Sequence, residues 1–183
     1  MFIATFTVAL LLNAQSTPYL VLPKTRPELR SSMMSEVSSS RPPTTNSALQ
    51  SIRSGVLDLV NQERRKRTLP MMKQNSLLDL AAQHHAEDMA KRGFFSHQTP
   101  DGRGPEDRIR ATGYFAKPCE CSYNFSYGEN IAKGQKTPRD VMKAWMNSKI
   151  HRENILKPDF NELGVGYAGG MWVENFGGVR IEK

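Results

Sequence analysis

The stretch Leu163–Phe176, LGVGYAGGMWVENF, decides how the chain is read. Leu163, Val165 and Tyr167 alternate with small residues, a period of two that belongs to a strand with one apolar face. Gly169-Gly170 then offers two adjacent residues free to adopt positive φ, which a tight hairpin turn requires. Trp172 to Phe176 runs back along the first strand. A β-hairpin is expected here, and its apolar face must be covered by elements found upstream.

Upstream the period changes to that of helices. Leu49, Ile52, Val56, Leu59 and Val60 recur three and four residues apart, one buried stripe of a first helix that ends in Arg64-Arg65-Lys66-Arg67. That basic run suits the negative end of a helix dipole and reads as a solvated charged turn. A second helix starts at Asn75-Ser76, where either residue can cap and Ser76 with Asp79 has capping-box spacing; Gly93 supplies its stop. Pro105–Thr112 reads as a short helix closed by Gly113. Thr137-Pro138-Arg139-Asp140 opens another, with Thr as N-cap and Val141, Ala144, Trp145 and Ser148 on one face. Helices around a small antiparallel sheet make an α+β domain, a three-layer α–β–α sandwich, over residues 48–183.

The amino-terminal quarter differs. Phe2–Leu12 is apolar and uncharged, too short as a helix to span a bilayer but of the length of a secretory h-region, with small residues suited to cleavage after Ser16. Residues 1–16 are therefore expected to be a signal peptide and the protein to be secreted, with no transmembrane span. Residues 17–47 are dominated by Ser, Thr and Pro and hold few large apolar side chains, so a disordered linker is expected there.

Of 183 residues, 38% are apolar and 23% charged, which is ordinary for a globular domain and excludes collagen, coiled coil and a polytopic membrane protein. The net charge of +7 favours anionic partners without choosing among them. No nucleic-acid recognition motif accompanies it, so nucleic acid is not expected as a partner. Cys119 and Cys121 either bond each other across a small ring or stay as thiols; they complete no zinc site. Asn124-Phe125-Ser126 is a glycosylation sequon.

The chemistry-bearing candidates are four histidines and one glutamate. His84 and His85 project about 100° apart on the second helix, so one is expected to face the core and the other solvent. His97 follows the Gly93 stop and falls on a loop or strand edge. Glu129 follows Gly128, where the backbone is free to turn tightly, and His151 meets Ser148 if their helix continues. Spacing alone does not bring His97, Glu129 and His151 together.

The ordered motifs do. Leu59-Val60-Asn61, Ala81-Ala82 with His85-Ala86, Phe95-Ser96-His97, Gly128-Glu129-Asn130-Ile131-Ala132, Trp145-Met146-Asn147-Ser148, His151-Arg152 with Asn154-Ile155-Leu156, Gly164-Val165-Gly166 and Trp172-Val173 before Asn175-Phe176-Gly177 succeed one another along the domain. Taken together they resemble the CAP superfamily of cysteine-rich secretory proteins, antigen 5 and plant pathogenesis-related proteins, in its cysteine-poor bacterial type. The resemblance implies a cleft floored by His97, Glu129 and His151, able to hold zinc or another divalent cation. Ser148 stands where many animal members carry a second glutamate, which removes charge from the cleft. The function so implied is a secreted, monomeric, non-catalytic binding module for a lipid or sterol, or for an extracellular protein or glycan. The alternative is a zinc-dependent hydrolase using the same residues. Met71, Met72, Phe94, Phe95, Tyr114, Phe115, Tyr123, Phe125 and Tyr127 supply apolar surface for a lipid, or fill the core.

Overall fold

The computed structural model describes residues 45–116 and 122–181. Its elements are α1 (Thr45–Arg65), β1 (Lys73–Gln74), α2 (Ser76–Arg92), α3 (Pro105–Ala111), β2 (Tyr123–Lys133), α4 (Pro138–Asn147), α5 (Lys149–Leu156), β3 (Glu162–Ala168) and β4 (Met171–Ile181). The expected signal peptide, most of the expected linker, and both cysteines lie outside the described residues; α1 begins three residues before the expected domain start. The described elements all belong to one unit, Arg41–Lys183.

The hairpin forms as its residues dictate. Gly169 and Gly170 adopt φ of 54° and 80°, and β3 pairs antiparallel with β4 from Glu162↔Gly177 to Ala168↔Met171. β4 also pairs antiparallel with β2 along eleven residues, while β1 adds a short parallel bridge to β3, giving the order β1-β3-β4-β2. The sheet is thus antiparallel apart from that two-residue edge. β2 is the strand that residue patterning did not reveal. Its carboxyl half, Glu129–Ala132, is buried on both faces and so shows no alternation of polar and apolar residues.

The two faces of the sheet are covered separately. Leu163, Val165, Trp172, Phe176 and Ala132 pack with Val56 and Val60 of α1, Val141 and Trp145 of α4 and Ile155 of α5. Their strand neighbours Ile131, Val173 and Met171 pack with Ala82, Ala86 and Met89 of α2. Beside them Leu78 and Ala81 of α2 meet Ile109 of α3 and Tyr114. This is the expected α–β–α sandwich.

Gly164 and Gly166 explain how α2 sits so close. A Cβ on Gly164 would lie 2.1 Å from the Leu78 carbonyl carbon, and one on Gly166 would lie 2.3 Å from that of Ala82. Helix backbone therefore rests on strand backbone. Asp79, on the same face of α2, is buried and accepts the Val165 N–H at 2.7 Å. It does not close a capping box with Ser76: the N-cap is Asn75, whose Oδ1 accepts from Leu77 and Leu78.

Arg64 corrects the reading of the basic run. Its neighbours Arg65, Lys66 and Arg67 are exposed, but Arg64 is wholly buried. Its guanidinium donates to the carbonyls of Pro70 (2.7 Å), Ile155 (2.9 Å), Lys157 (3.0 Å) and Phe160 (2.9 Å). One side chain thereby binds the end of α1 to the end of α5 and the turn beyond it.

Candidate functional site

Four chain segments build the cleft floor. His97 lies on the loop that Gly93 opens by ending α2 in the left-handed conformation, φ 71°. Arg108 comes from α3, Glu129 from β2 and His151 from the first turn of α5. His97 Nδ1 meets Glu129 Oε1 at 2.8 Å, and Arg108 Nη2 donates to Glu129 Oε2 at 2.8 Å. Asn175 on β4, with its amide nitrogen facing the carboxylate, adds a donor to Oε2 at 3.1 Å. The Glu129 side chain is 1% exposed and that of His97 50%. A carboxylate only accepts, so Nδ1 of His97 carries the hydrogen and, in the neutral ring, Nε2 keeps its lone pair on a half-exposed imidazole.

His151 lies close enough to His97 for their charges to repel. Half-burial, with that repulsion added, lowers its pKa below the usual histidine value. Beneath it Asn130 donates through Nδ2 to the His151 carbonyl (3.1 Å) and to Glu174 Oε2 (3.0 Å), and Asn154 donates to Asn130 Oδ1 (2.9 Å). Asn154 also reaches the Glu129 carbonyl at 3.3 Å. The floor is thus held by asparagine amides, which do not titrate. Glu174 is the exception: wholly buried with only the Asn130 donor, its pKa is pushed up to about 8 by desolvation.

Two expectations about local structure change. Gly128 makes no turn: it lies within β2, where a Cβ would come within 2.8 Å of the Phe160 ring. Its absent side chain is what lets Phe160 stack on Phe176 at 5.3 Å and 12°. Nor does the helix continue from Ser148 to His151. Ser148 is extended, φ −91° and ψ 126°, ending α4 and serving as N-cap of α5 with no side-chain hydrogen bond of its own. Arg152 steadies the break through Nη1 to the Met146 carbonyl, 2.7 Å. Ser148 therefore stands between α4 and α5 rather than within one helix.

Among the remaining candidates, His85 is buried and His84 exposed, the expected division. Burial lowers the His85 pKa, and its Nε2 donates to the Ser96 carbonyl at 3.0 Å. Met72 and Tyr114 are core, whereas Met71, Phe95 and Tyr127 are exposed. Phe115, Tyr123, Phe125 and Tyr127 form a chain of edge-to-face contacts over one end of the sheet. Met71, Leu77, Tyr114 and Phe125 border a groove of about 480 Å³ there.

Arg108, Asn130, Asn154 and Asn175 were not singled out as site residues by the sequence. The three asparagines lie inside the recurrent motifs and were legible as part of them. Arg108 is one charge among several on a short helix, and nothing local distinguishes it.

No three His, Cys, Asp or Glu side chains among the described residues form a group that could hold a metal ion. The reason is visible at Glu129, whose two oxygens are engaged by His97, Arg108 and Asn175. As arranged, Glu129 orients an imidazole from behind, the role of a carboxylate one shell out from a metal.

A hairpin sheet between two helical layers, with His97 hydrogen-bonded to a buried glutamate and His151 beside it, defines a CAP-type domain. The chain belongs to that family: residues 57–176 match the family described as CAP, cysteine-rich secretory protein family. It is 41% identical over 138 residues to YkwD of Bacillus subtilis (strain 168), covering 73% of this chain and 51% of that protein. It is 30% identical over 122 residues to the membrane protein YlbC of the same organism, covering 66% and 33%. The chain thus spans about half the length or less of these relatives. A solved extracellular protein containing an SCP domain from Bacillus anthracis str. Ames superposes with a TM-score of 0.63 at 27% identity, over 79% of this chain and 45% of that one. An outer surface protein of Borrelia burgdorferi shares the fold, with a TM-score of 0.57 at 22% identity over 68% of this chain and 90% of that one. Among the described residues no helix is long and apolar enough to cross a membrane.

Proposed function

We propose that the protein is a secreted, non-catalytic binding module whose cleft engages its ligand through the imidazoles of His97 and His151. The observation that carries this reading is the engagement of Glu129. A hydrolytic carboxylate must be free to take a proton or bind a metal, and this one is held by a guanidinium, an imidazole and an amide. The extracellular and surface locations of the structural relatives support secretion. A divalent cation such as zinc would rest on the two imidazoles with Glu129 fixing His97, and would supply a Lewis-acidic anchor for an oxygen-bearing ligand. A lipid or sterol suits the aromatic groove at the sheet end better than the cleft, because that groove is lined by Met71, Leu77, Tyr114 and Phe125.

The test is calorimetric titration of the full chain with zinc, beside a His97→Ala/His151→Ala protein. The expected result is affinity of about micromolar order, lost in the double variant, with no cleavage of a broad peptide library. Binding should weaken at acid pH, since a protonated imidazole offers no lone pair, with the His151 ring staying available below the usual histidine value because burial lowers its pKa. Peptide cleavage that disappears in Glu129→Gln would replace this reading with a zinc-dependent hydrolase.

A further inference from the structure

β2 is an edge strand of the sheet, and its ladder with β4 runs one to one from Tyr123 to Lys133, so alternate residues turn their N–H and C=O groups outward. The odd-numbered ones do so. Gly134, continuing the ladder, donates inward to the Gly170 carbonyl at 2.8 Å, whereas the Glu129 and Ile131 carbonyls accept from Asn154 of α5 and Trp145 of α4, both at 3.3 Å. Side chains close the outer side of β3 in the same way: the outward groups of Val165 and Tyr167 are taken by Asp79, Arg53 and Gln83.

The amino half of β2 is left open. None of residues 123–128 is buried, and the outward N–H and C=O of Phe125 and Tyr127 have no hydrogen-bond partner among the described residues. Such an edge is a template for another strand. Its own symmetry prescribes which. A two-fold axis through Ser126, normal to the sheet, sets Phe125 opposite Tyr127 of a second copy and Tyr127 opposite its Phe125, and every open group on both copies is then paired. Phe125 and Tyr127 project from one face, so each Tyr127 ring, 40% exposed, gains a cross-strand aromatic neighbour. Charge agrees with a like partner. Residues 123–128 carry none, and Glu106, bonded to the Tyr127 hydroxyl, and Asp159, bonded to Ser126, are already neutralised by Arg110 and Arg180. A charged peptide finds no free counter-ion there, whereas a second copy brings the same uncharged aromatic edge.

We propose that the protein dimerises by antiparallel pairing of residues 123–128 of two copies about an axis at Ser126, joining two four-stranded sheets into one. The contact is short, so the dimer is a weak one. The axis keeps the two Glu129 side chains on one face of the joined sheet, about 20 Å apart, and so sets the two clefts side by side.

The experiment measures the mass of the full chain by sedimentation equilibrium between about 10 μM and 1 mM, and the exchange rates of its main-chain amides over the same range. A dimer with a dissociation constant of about 100 μM is expected. The Phe125 and Tyr127 amides should slow as concentration rises, while those of Ser126 and Gly128, bonded to β4, stay slow throughout. Tyr127→Pro removes an outward donor without breaking the β4 ladder and should weaken the dimer about tenfold or more. Ser126→Lys and Ser126→Glu each set like charges across the axis and should weaken it about fivefold, and a one-to-one mixture of the two should restore it. The proposal is overturned by a monomer whose edge amides exchange fast at every concentration, or by a dimer that persists in Tyr127→Pro. A Ser126→Lys and Ser126→Glu mixture that stays monomeric also overturns it. So does protection of Phe125 and Tyr127 that is independent of concentration, which would put another segment of the same chain on the edge.

Discussion

Glu174 is a residue whose protonation the fold controls strongly. It is wholly buried on β4 and has one hydrogen-bond donor, Asn130, and its pKa is pushed from the usual 4.5 to about 8. A carboxyl with a raised folded pKa contributes stability that is fully present below its unfolded pKa and is lost as pH rises through the folded one. Stability should therefore fall between about pH 5 and pH 8, and Glu174→Gln, which keeps an acceptor for Asn130, should remove that slope. Chemical denaturation across this range is expected to show the variant more stable at pH 8 by roughly 1–3 kcal/mol, with the two proteins alike near pH 5. An unchanged slope would mean that the carboxyl is charged in the fold. His85 acts in the opposite direction: burial lowers its pKa, so its contribution is present above the usual histidine value and fades as pH drops through the lowered one. The sequence could not foretell either effect. Glu174 shares its strand face with Trp172 and Phe176, but that the helices over that face seal its carboxyl from water depends on how they pack.

Among the elements, α2 rests on β3 backbone to backbone. Gly164 and Gly166 alternate with Leu163 and Val165, so one side of β3 carries the apolar residues while at these two positions the other side carries only hydrogen. Gly166→Ala must push α2 away from the sheet, because the added methyl meets the helix backbone rather than a side chain that can swing aside. The expected cost is about 3 kcal/mol or more, a fall in Tm of roughly 10 °C measurable by calorimetry. The same substitution at exposed Gly102, where nothing lies within 4 Å, should cost only the strain of its positive φ. At this scale the sequence was mostly readable. The hairpin followed from period and turn, α4 from Thr137-Pro138, and the α2 stop from Gly93. The strand β2 and the break at Ser148 were not, since neither has a local pattern: one is buried on both faces and the other is set by where α5 must pack.

For the whole molecule, Arg64 is the clasp. Four carbonyls from two stretches of chain, Pro70 and residues 155–160, share its guanidinium, and no carboxylate neutralises it in the hydrogen bonds it makes. Lysine carries the charge but cannot reach four acceptors in a planar fork, so Arg64→Lys is expected to cost about 2–4 kcal/mol in urea denaturation. A loss below half a kcal/mol would show that the carbonyls find other donors. The cleft was legible in the same distributed way: His97, Glu129 and His151 were named from motifs spread along the domain, while the Arg108 that completes them depends on how α3 folds back over β2.

The strand order β1-β3-β4-β2 also has a consequence for how the protein is made. β4 is the last of the four strands to be synthesised, yet it stands between β3 and β2, and β2 has no other strand partner among the described residues. A nascent chain that has emerged as far as the Gly169-Gly170 turn therefore holds His97, Arg108, Glu129 and His151 but neither Asn175 nor the strand that pairs with β2 to set Glu129. The ribosome must release almost the whole domain before His97 and Glu129 can meet, so the growing chain stays open, and fit to be threaded, until its final strand arrives.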